Sequence, residues 1–587
     1  RSDYRSVYED VAVVKGIRVS HVPMGSFVQP CDWANFGLEC DKMSAAAVKC
    51  HIDNFLEPIK DHLGPLVGTS FKQILMDSYE AEHCDWTDGF REEFTKRRGY
   101  DPLPYLPVFA GADLPDAKRF REDHARTVAE LYTENHYRQM QARVNAHNLE
   151  FQLEPYGGPF DGYEAARHSD TPMVEFWMPD IPWWWINPDG IGGYPAATGA
   201  SGRAFGRKVI AAEAFTGFPT WAQFSESPRD FKVPGDASYA RGINRLTLHD
   251  WVHQPFNPKW KPGNTMGFWG SHFGENQTWY EPGKAWYRYL GRCQALLQRG
   301  EQVVDQLALC DSPAASEFDA IAVSSFLNEL TVLPDGRLRM PSGRTYRLLR
   351  LPRGGLMGAG IVSPAVARRV REILAQGATI WAPKRFVRAE GLKDCEAADA
   401  EVRAIAAELW DRPHPRFFTG TVEEALASLG ILPGFEVLSA NDRRRPVLAS
   451  HRAEPGADWF FVANLSTNEV RPTMAFRVTG RVPEIWDPDT TVRRPLTYWR
   501  EDNSRTILTE TIAPESSFFV VFRTVGRPQG VEEKPLVDGP ATELDGHWRV
   551  MFEKGRGAPE EEVVFGRLES LSTIDVPGIR YFSGTAT

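Results

Sequence analysis

The rhythm of apolar positions changes along the chain, and those changes mark its architecture. From residue 1 to about residue 300, strand-like apolar runs alternate with helical segments. His51 to Leu63 reads as the end of an amphipathic helix, with Phe55, Leu56 and Ile59 on one side. Phe71 to Asp77 reads as a strand, Trp86 to Arg98 as a charged helix capped by Asp85 and stopped by Gly99, and Arg119 to His147 as a long helix free of Gly and Pro. Further strands end at Glu154, Glu175 and Glu213, and Arg245 to Trp251 makes another. Strand, helix and strand in repeated order predict a parallel sheet, and over this length a (β/α)8 barrel. The Gly-, Pro- and Trp-rich stretches 179–206 and 252–283 predict rim loops, where such a barrel places its substrate contacts.

From Gln302 the texture shifts. Val304 to Leu309 and Tyr346 to Leu351 read as strands, and Ser363-Pro364 opens a helix reaching Gln376, the pattern of a small open α/β domain, flavodoxin-like in outline. Gly354 to Gly360 is glycine-rich but does not open a helix after a strand in the dinucleotide-binding manner, so it reads as a loop. Beyond about residue 435 short strands dominate, among them Trp459 to Asn464 and Ser517 to Phe522, which predicts a β-sandwich. The expected organisation is an α/β chain with a catalytic barrel over 1–300, a small open α/β domain over 301–435, a β-sandwich over 436–525 and the start of a further β domain over 526–587. The chain opens at Arg1 and its last segment has no clear terminator, so the intact protein is expected to extend beyond both ends.

Composition narrows the function classes. A hydrophobic fraction of 42% and a charged fraction of 25% are those of a soluble globular protein. A net charge of −11 argues against a nucleic-acid partner, which needs a concentrated basic surface; the short Arg443-Arg444-Arg445 run reads as a solvated turn. No apolar run is long enough for a membrane span. The cysteines show neither a CxxC metal pattern nor a dense disulfide framework and read as buried free thiols. Tryptophans gather in loop-like segments such as Trp183-Trp184-Trp185, as sugar-stacking platforms do, although large barrels also bury Trp.

Four glutamates, Glu80, Glu154, Glu175 and Glu213, each follow an apolar strand-like run, with Asp77 and Asp250 behind them. Glycoside hydrolysis needs one carboxylic acid to protonate the leaving oxygen and one carboxylate to activate water or attack the anomeric carbon, and strand ends of a barrel bring such groups together. For each glutamate the plain alternative is a structural ion pair or a hydrogen bond to a sugar hydroxyl. His249 and His253 flank Asp250-Trp251, and His272 lies in the following loop; this stretch reads as strand and loop, so ring hydrogen bonds to sugar are expected ahead of zinc ligation. Glu39 to Lys42 and the pair Asp85 and Asp88 supply oxygen donors of the kind Ca²⁺ takes. No Gly-x-Ser-x-Gly elbow is present, which argues against a serine hydrolase.

Taken together, Gly37-Leu38-Glu39-Cys40-Asp41-Lys42-Met43-Ser44, the strand end Asp77-Ser78-Tyr79-Glu80, Phe90-Arg91-Glu92-Glu93-Phe94 with Arg98-Gly99-Tyr100-Asp101-Pro102, and His451-Arg452 before Phe461-Val462-Ala463-Asn464 resemble glycoside hydrolase family 106, a family of bacterial α-L-rhamnosidases. The resemblance runs from about residue 10 to the C-terminal end, where His547 to Thr587 would begin a galactose-binding-like β domain. It implies an inverting enzyme that removes terminal α-L-rhamnose, a carbohydrate partner, a Ca²⁺ ion near the bound sugar with its ligands left open, and a periplasmic or secreted location with the cytoplasm left open. Carried over, Glu80 matches the general acid and Glu213 the general base, with Glu175 a third acidic group able to exchange roles with Glu213. Asp77, Glu154, Trp177, His249, Asp250, Trp251 and His272 are the expected sugar contacts. Two alternatives stand beside this: a retaining β-galactosidase-like hydrolase with Glu154 as acid/base, and a carbohydrate-binding protein with an inactive barrel.

Overall fold

A computed structural model describes residues 40–79, 84–178, 197–217, 224–255, 257, 259–260, 262–264, 270–310, 318–438, 447–527, 542–544 and 546–587. The sequence readings on Glu39, Glu80, Trp183 to Trp185 and Arg443 to Arg445 lie outside the described residues. Helix α1 (Ala45–Leu63) starts where the Ser44 hydroxyl accepts from the Ala47 N–H, and buries Val48, Ile52 and Leu56; Phe55, at the margin of that stripe, is half exposed. Helix α2 (Phe90–Arg98) begins later than the sequence pattern predicts, at Gly89 rather than at an Asp85 cap, and ends at Gly99 in the left-handed conformation. The predicted long helix is α3 (Ala117–Tyr132) and α4 (Arg138–Asn145) joined by one wider turn, Thr133–Tyr137.

Five strands, β1 (Gln73–Met76), β2 (Glu150–Leu153), β3 (Thr171–Trp177), β4 (Ala211–Thr216) and β5 (Arg245–Leu248), form one sheet in chain order, every pair parallel. Consecutive parallel strands joined by right-handed crossovers put their helices on one face, and a sheet wound this way curls around its other face. The apolar side chains obey that geometry. Ile74, Phe151 and Leu153 pack on Val48, Ile52, Tyr137 and Met140, while Val174, Phe176, Ala212 and Ala214 pack on Phe231, Tyr239, Trp286 and Tyr289 of the helices at 228–240 and 284–297. Among the described residues the parallel sheet has five strands, not the eight of the expected closed barrel.

A second sheet has strands β6 (Gln306–Leu309), β7 (Phe318–Ile321), β8 (Leu348–Arg350), β9 (Ile380–Trp381) and β10 (Phe417–Phe418) in the order β10-β9-β8-β6-β7, all parallel. That is the flavodoxin-like order. Gly355–Gly358, expected as loop, makes one short helical turn. The two parallel sheets are tied by a buried ion pair, Arg203 Nε to Asp319 at 2.8 Å, with the Tyr346 hydroxyl donating to the other Asp319 oxygen at 2.8 Å. Beyond residue 447 a long antiparallel sheet built on Val447–Glu454, Ala457–Asn464, Arg481–Trp486 and Ser517–Val525 shares a core with a second antiparallel sheet through Phe460, Val462, Phe476, Leu508 and Phe522. Its other face, with Trp459, Phe461 and Phe519, packs against the helices of the first parallel sheet. Trp548–Val550 pairs with Val563–Phe565 in a short antiparallel ladder.

Candidate active site

Strand register determines which side chains meet. Leu75 pairs with Gln152, Gln152 with Thr171, Glu175 with Glu213, and Glu213 with Thr247. Paired residues on neighbouring strands point to the same side, and side chains alternate along each strand. Counting in twos therefore puts Asp77, Glu154, Glu175, Glu213 and His249 on one face of the curled sheet, opposite the helices. Glu175 and Glu213 sit within β3 and β4, not at their ends; each is the one incompletely buried residue of its strand. Asp77 and Glu154 follow directly on β1 and β2, as the sequence predicts.

Asp77, Glu154 and Glu213 can each bring a carboxylate oxygen within 4.8 Å of the other two. Glu154 is fully buried; one oxygen accepts from the Tyr156 hydroxyl at 2.6 Å, and the other has no hydrogen-bond partner among the described residues. Burial, then the neighbouring Asp77 and Glu213, drives its pKa far above the usual carboxylate range. Glu213 is shifted upward too, by burial first and then by Glu175 and Asp77. Like charges crowded in a low dielectric cannot all ionise, so without a counter-ion Glu154 and Glu213 hold protons at neutral pH.

The Glu213 carboxylate accepts from the Thr216 hydroxyl at 3.3 Å and lies 3.5 Å from His249 Nδ1, a close approach short of a hydrogen bond. Burial pushes the His249 imidazole down to about 4, so it is neutral beside Glu213. Asp250, raised to about 6 by burial, has its backbone fixed by Ser271, and one carboxylate oxygen is buried without a partner among the described residues. Gly270, with φ +78°, permits this crowding: a Cβ there would come within 2.8 Å of Asp250 Oδ1. His272 is clamped from behind by Glu226, which accepts from its backbone N–H at 2.6 Å and pairs with its Nδ1 at 2.9 Å, and Phe224 stacks on the ring at 3.9 Å between centroids. Trp177 is buried at the end of β3, whereas Trp251 is 66% exposed.

The structure thus gathers Asp77, Glu154, Glu175, Glu213 and His249 on one face, sets Asp250 and His272 behind them, and leaves Trp251 on the outer surface. Sequence reading missed Tyr156 and Glu226. Tyr156 follows Glu154 by two residues, so an i,i+2 partner search would have found it; Glu226 lies in a loop segment with no periodic signal. A Ca²⁺ ion takes carboxylate oxygens, and the crowded trio with the unpartnered Glu154 oxygen fits such an ion. Asp41, one of the expected oxygen donors, accepts from the Met43 N–H and from the Thr87 hydroxyl. Among the described residues no helix is long and apolar enough to cross a membrane. Of the described cysteines, none of which is bridged, Cys293 is buried as expected and Cys50 is exposed.

The family profile described as alpha-L-rhamnosidase matches residues 13–500. A protein of Formosa agariphila, provisionally named a beta-glucuronidase, is 30% identical over 548 residues, covering 90% of this chain and 45% of that protein. The solved structure of a rhamnosidase from Novosphingobium sp. PP1Y superposes with a TM-score of 0.82 at 27% identity, covering 95% of this chain and 55% of that one. The chain therefore spans about half the length of each. A β-galactosidase from Bacillus circulans sp. alkalophilus, at 11% identity and a TM-score of 0.50 over 82% of this chain and 83% of that one, shares the fold alone.

Proposed function

The chain belongs to glycoside hydrolase family 106, the α-L-rhamnosidase family, by its match over residues 13–500, and from that premise we propose that it is an inverting exo-glycosidase that removes terminal α-L-rhamnose from glycans or plant glycosides. The observation that carries the reading is the trio Asp77, Glu154 and Glu213 on the open face of a parallel sheet, the arrangement this chemistry needs.

The family resemblance assigns the roles, and inversion constrains their spacing. Acid and base must stand about 6.5–9.5 Å apart to admit a water, whereas the trio's oxygens approach within 4.8 Å. A donor at that distance lies outside the trio, and the family resemblance assigns the role to Glu80, three residues beyond Asp77 in sequence. In its ionised form Glu213 takes the proton of the attacking water, oriented by the Thr216 hydroxyl and the neutral His249 ring. Glu175, in register with Glu213, raises its proton affinity, and Tyr156 holds Glu154 in place. Ca²⁺ held by Asp77, Glu154 and Glu213 would neutralise the crowded carboxylates and offer coordination to sugar hydroxyls. We place the five strands within a (β/α)8 barrel and the two antiparallel sheets in a β-sandwich; the sequential strand order and the shared apolar core support both.

The β-galactosidase likeness extends to fold only, and an inactive binding protein has no use for carboxyls held at raised proton affinity. Release of p-nitrophenol from p-nitrophenyl α-L-rhamnoside, run beside the β-D-glucuronide, tests the reading. Turnover of the rhamnoside alone is expected; turnover of the glucuronide alone, or of neither, overturns it.

A further inference from the structure

In sequence Glu80 is followed by Ala81, Glu82 and His83, and the described residues that flank this short segment are Tyr79 and Cys84. Both flanks reach the same hydroxyl. The Tyr79 hydroxyl lies 3.1 Å from that of Tyr132, and the Tyr132 hydroxyl donates to the Cys84 carbonyl at 3.4 Å. A phenol has one proton to give, so with that of Tyr132 directed to Cys84, the Tyr79 hydroxyl is the donor to Tyr132. Tyr132 is fully buried and ends α3, where the helix widens into the turn Thr133–Tyr137. Single widened turns of this kind are frequent at functional sites.

Tyr79 is held on its other sides by the loop that follows β2. The pairing of β1 with β2 continues past both strands: the Glu154 N–H donates to the Met76 carbonyl at 3.0 Å and the Tyr79 N–H to the Tyr156 carbonyl at 3.1 Å. Tyr156 is also the residue whose hydroxyl holds Glu154, so one loop fixes both the trio and Tyr79. The Tyr79 ring meets Tyr132 and Phe160 edge-on at 5.8 and 6.0 Å, and Lys42 Nζ lies 5.4 Å above it. Gly157, with φ +89°, and Gly158 allow this approach, since a Cβ on each would lie 2.5 Å from the Tyr79 carbonyl oxygen and 2.8 Å from its ring Cγ. Packing alone would be served by phenylalanine, whose ring brings no buried hydroxyl to satisfy. Here two hydroxyls are directed at the two ends of the segment that carries Glu80.

We propose that Tyr132 and Tyr79 are positioning residues for the proton donor: their linked hydroxyls hold the flanks of the Glu80 segment so that its carboxyl meets the leaving oxygen. The inference rests on the rhamnosidase reading, in which Glu80 is the general acid. A positioned acid contributes about a hundred- to ten-thousandfold, and a displacement of about 1 Å forfeits up to about a hundredfold of it. The loss falls on substrates whose leaving group must be protonated, as methoxide must, and spares one that departs unaided, as dinitrophenolate does.

The test is the ratio of kcat on 2,4-dinitrophenyl α-L-rhamnoside to kcat on methyl α-L-rhamnoside, measured in wild type, Glu80→Gln, Tyr132→Phe and Tyr79→Phe. A merely structural loss lowers both rates by the same folded fraction and leaves the ratio where it was. Tyr132→Phe, which releases both flanks and keeps the ring, should raise the ratio by about tenfold, and Tyr79→Phe, which releases one, by about threefold. Should Tyr132→Phe fail to fold, Tyr79→Phe decides the matter, because its ring contacts and backbone bond remain. A ratio that stays at the wild-type value in the folded tyrosine variants overturns the positioning role. Glu80→Gln should raise the ratio by about a hundredfold or more; an unmoved ratio there removes Glu80 as donor and the inference with it. Failure of wild type on both rhamnosides overturns the rhamnosidase reading instead.

Discussion

Replacing Glu154 with Gln should stabilise the calcium-free protein at neutral pH, although it removes a carboxylate from the centre of the site. Glu154 is fully buried, and its folded-state pKa lies far above the ordinary glutamate value of 4.5. For an acid with a raised pKa the folded state binds the extra proton, so stability falls as pH rises above the unfolded value. At pH 7 the unfolded chain gains roughly 2.5 pH units of ionisation free energy that the folded chain forgoes, roughly 3 kcal/mol at 1.36 kcal/mol per unit. Gln carries no such deficit and can still accept from the Tyr156 hydroxyl, now 2.6 Å from Glu154 Oε2. Glu154→Gln should therefore exceed wild type by up to about 3 kcal/mol at pH 7 and by less than about 1 kcal/mol at pH 5. Urea unfolding in EGTA, followed by tryptophan fluorescence, reads the difference. Adding Ca²⁺ should reverse the order, because wild type gains a ligand-linked stabilisation that the variant lacks. A variant less stable than wild type in EGTA at pH 7 would show that Glu154 is ionised and compensated in the empty site, and the electrostatic argument would fail.

Three further outcomes follow from the same geometry. Glu213→Gln should lower kcat on an α-L-rhamnoside by about a hundred- to ten-thousandfold with KM little changed; a larger loss in Glu175→Gln than in Glu213→Gln, by steady-state kinetics, would transfer the base role to Glu175. Glu226→Gln should cost about 1.5–3 kcal/mol in urea unfolding, because it weakens a buried clamp on the His272 backbone N–H and ring Nδ1; no measurable change would mean the clamp does not depend on the Glu226 charge. Asp319→Ala should destabilise by about 3–5 kcal/mol in thermal unfolding, because it takes the shared carboxylate from the buried Arg203 and Arg344 guanidinium groups and removes the acceptor of the Tyr346 hydroxyl, while activity at low temperature persists.

Much of this was legible because the signal was local. Apolar runs ending at Asp77 and Glu154 gave the strands and the facing of their carboxylates, and Ser363 capped its helix as its type predicts, accepting from the Val366 N–H. Glu175 and Glu213 were found, but within their strands: the apolar run before each continues past it as Phe176 and Ala214, and only register against neighbouring strands shows where a parallel strand stops. Asp85 looked like a cap, yet the chain needs Gly89 in a left-handed conformation to enter α2, a backbone demand that side-chain preference does not reveal. The crowding of the trio, the Glu226 clamp and the meeting of Tyr79 with Tyr132 are long-range contacts between segments far apart in sequence, and no periodicity encodes them.

The central claim is tested most directly by following the first anomer released from p-nitrophenyl α-L-rhamnoside by proton NMR. Inversion through Glu80 and Glu213 predicts β-L-rhamnose first, with the α anomer growing in only by mutarotation. Initial release of α-L-rhamnose would contradict that account and require a nucleophile at the site.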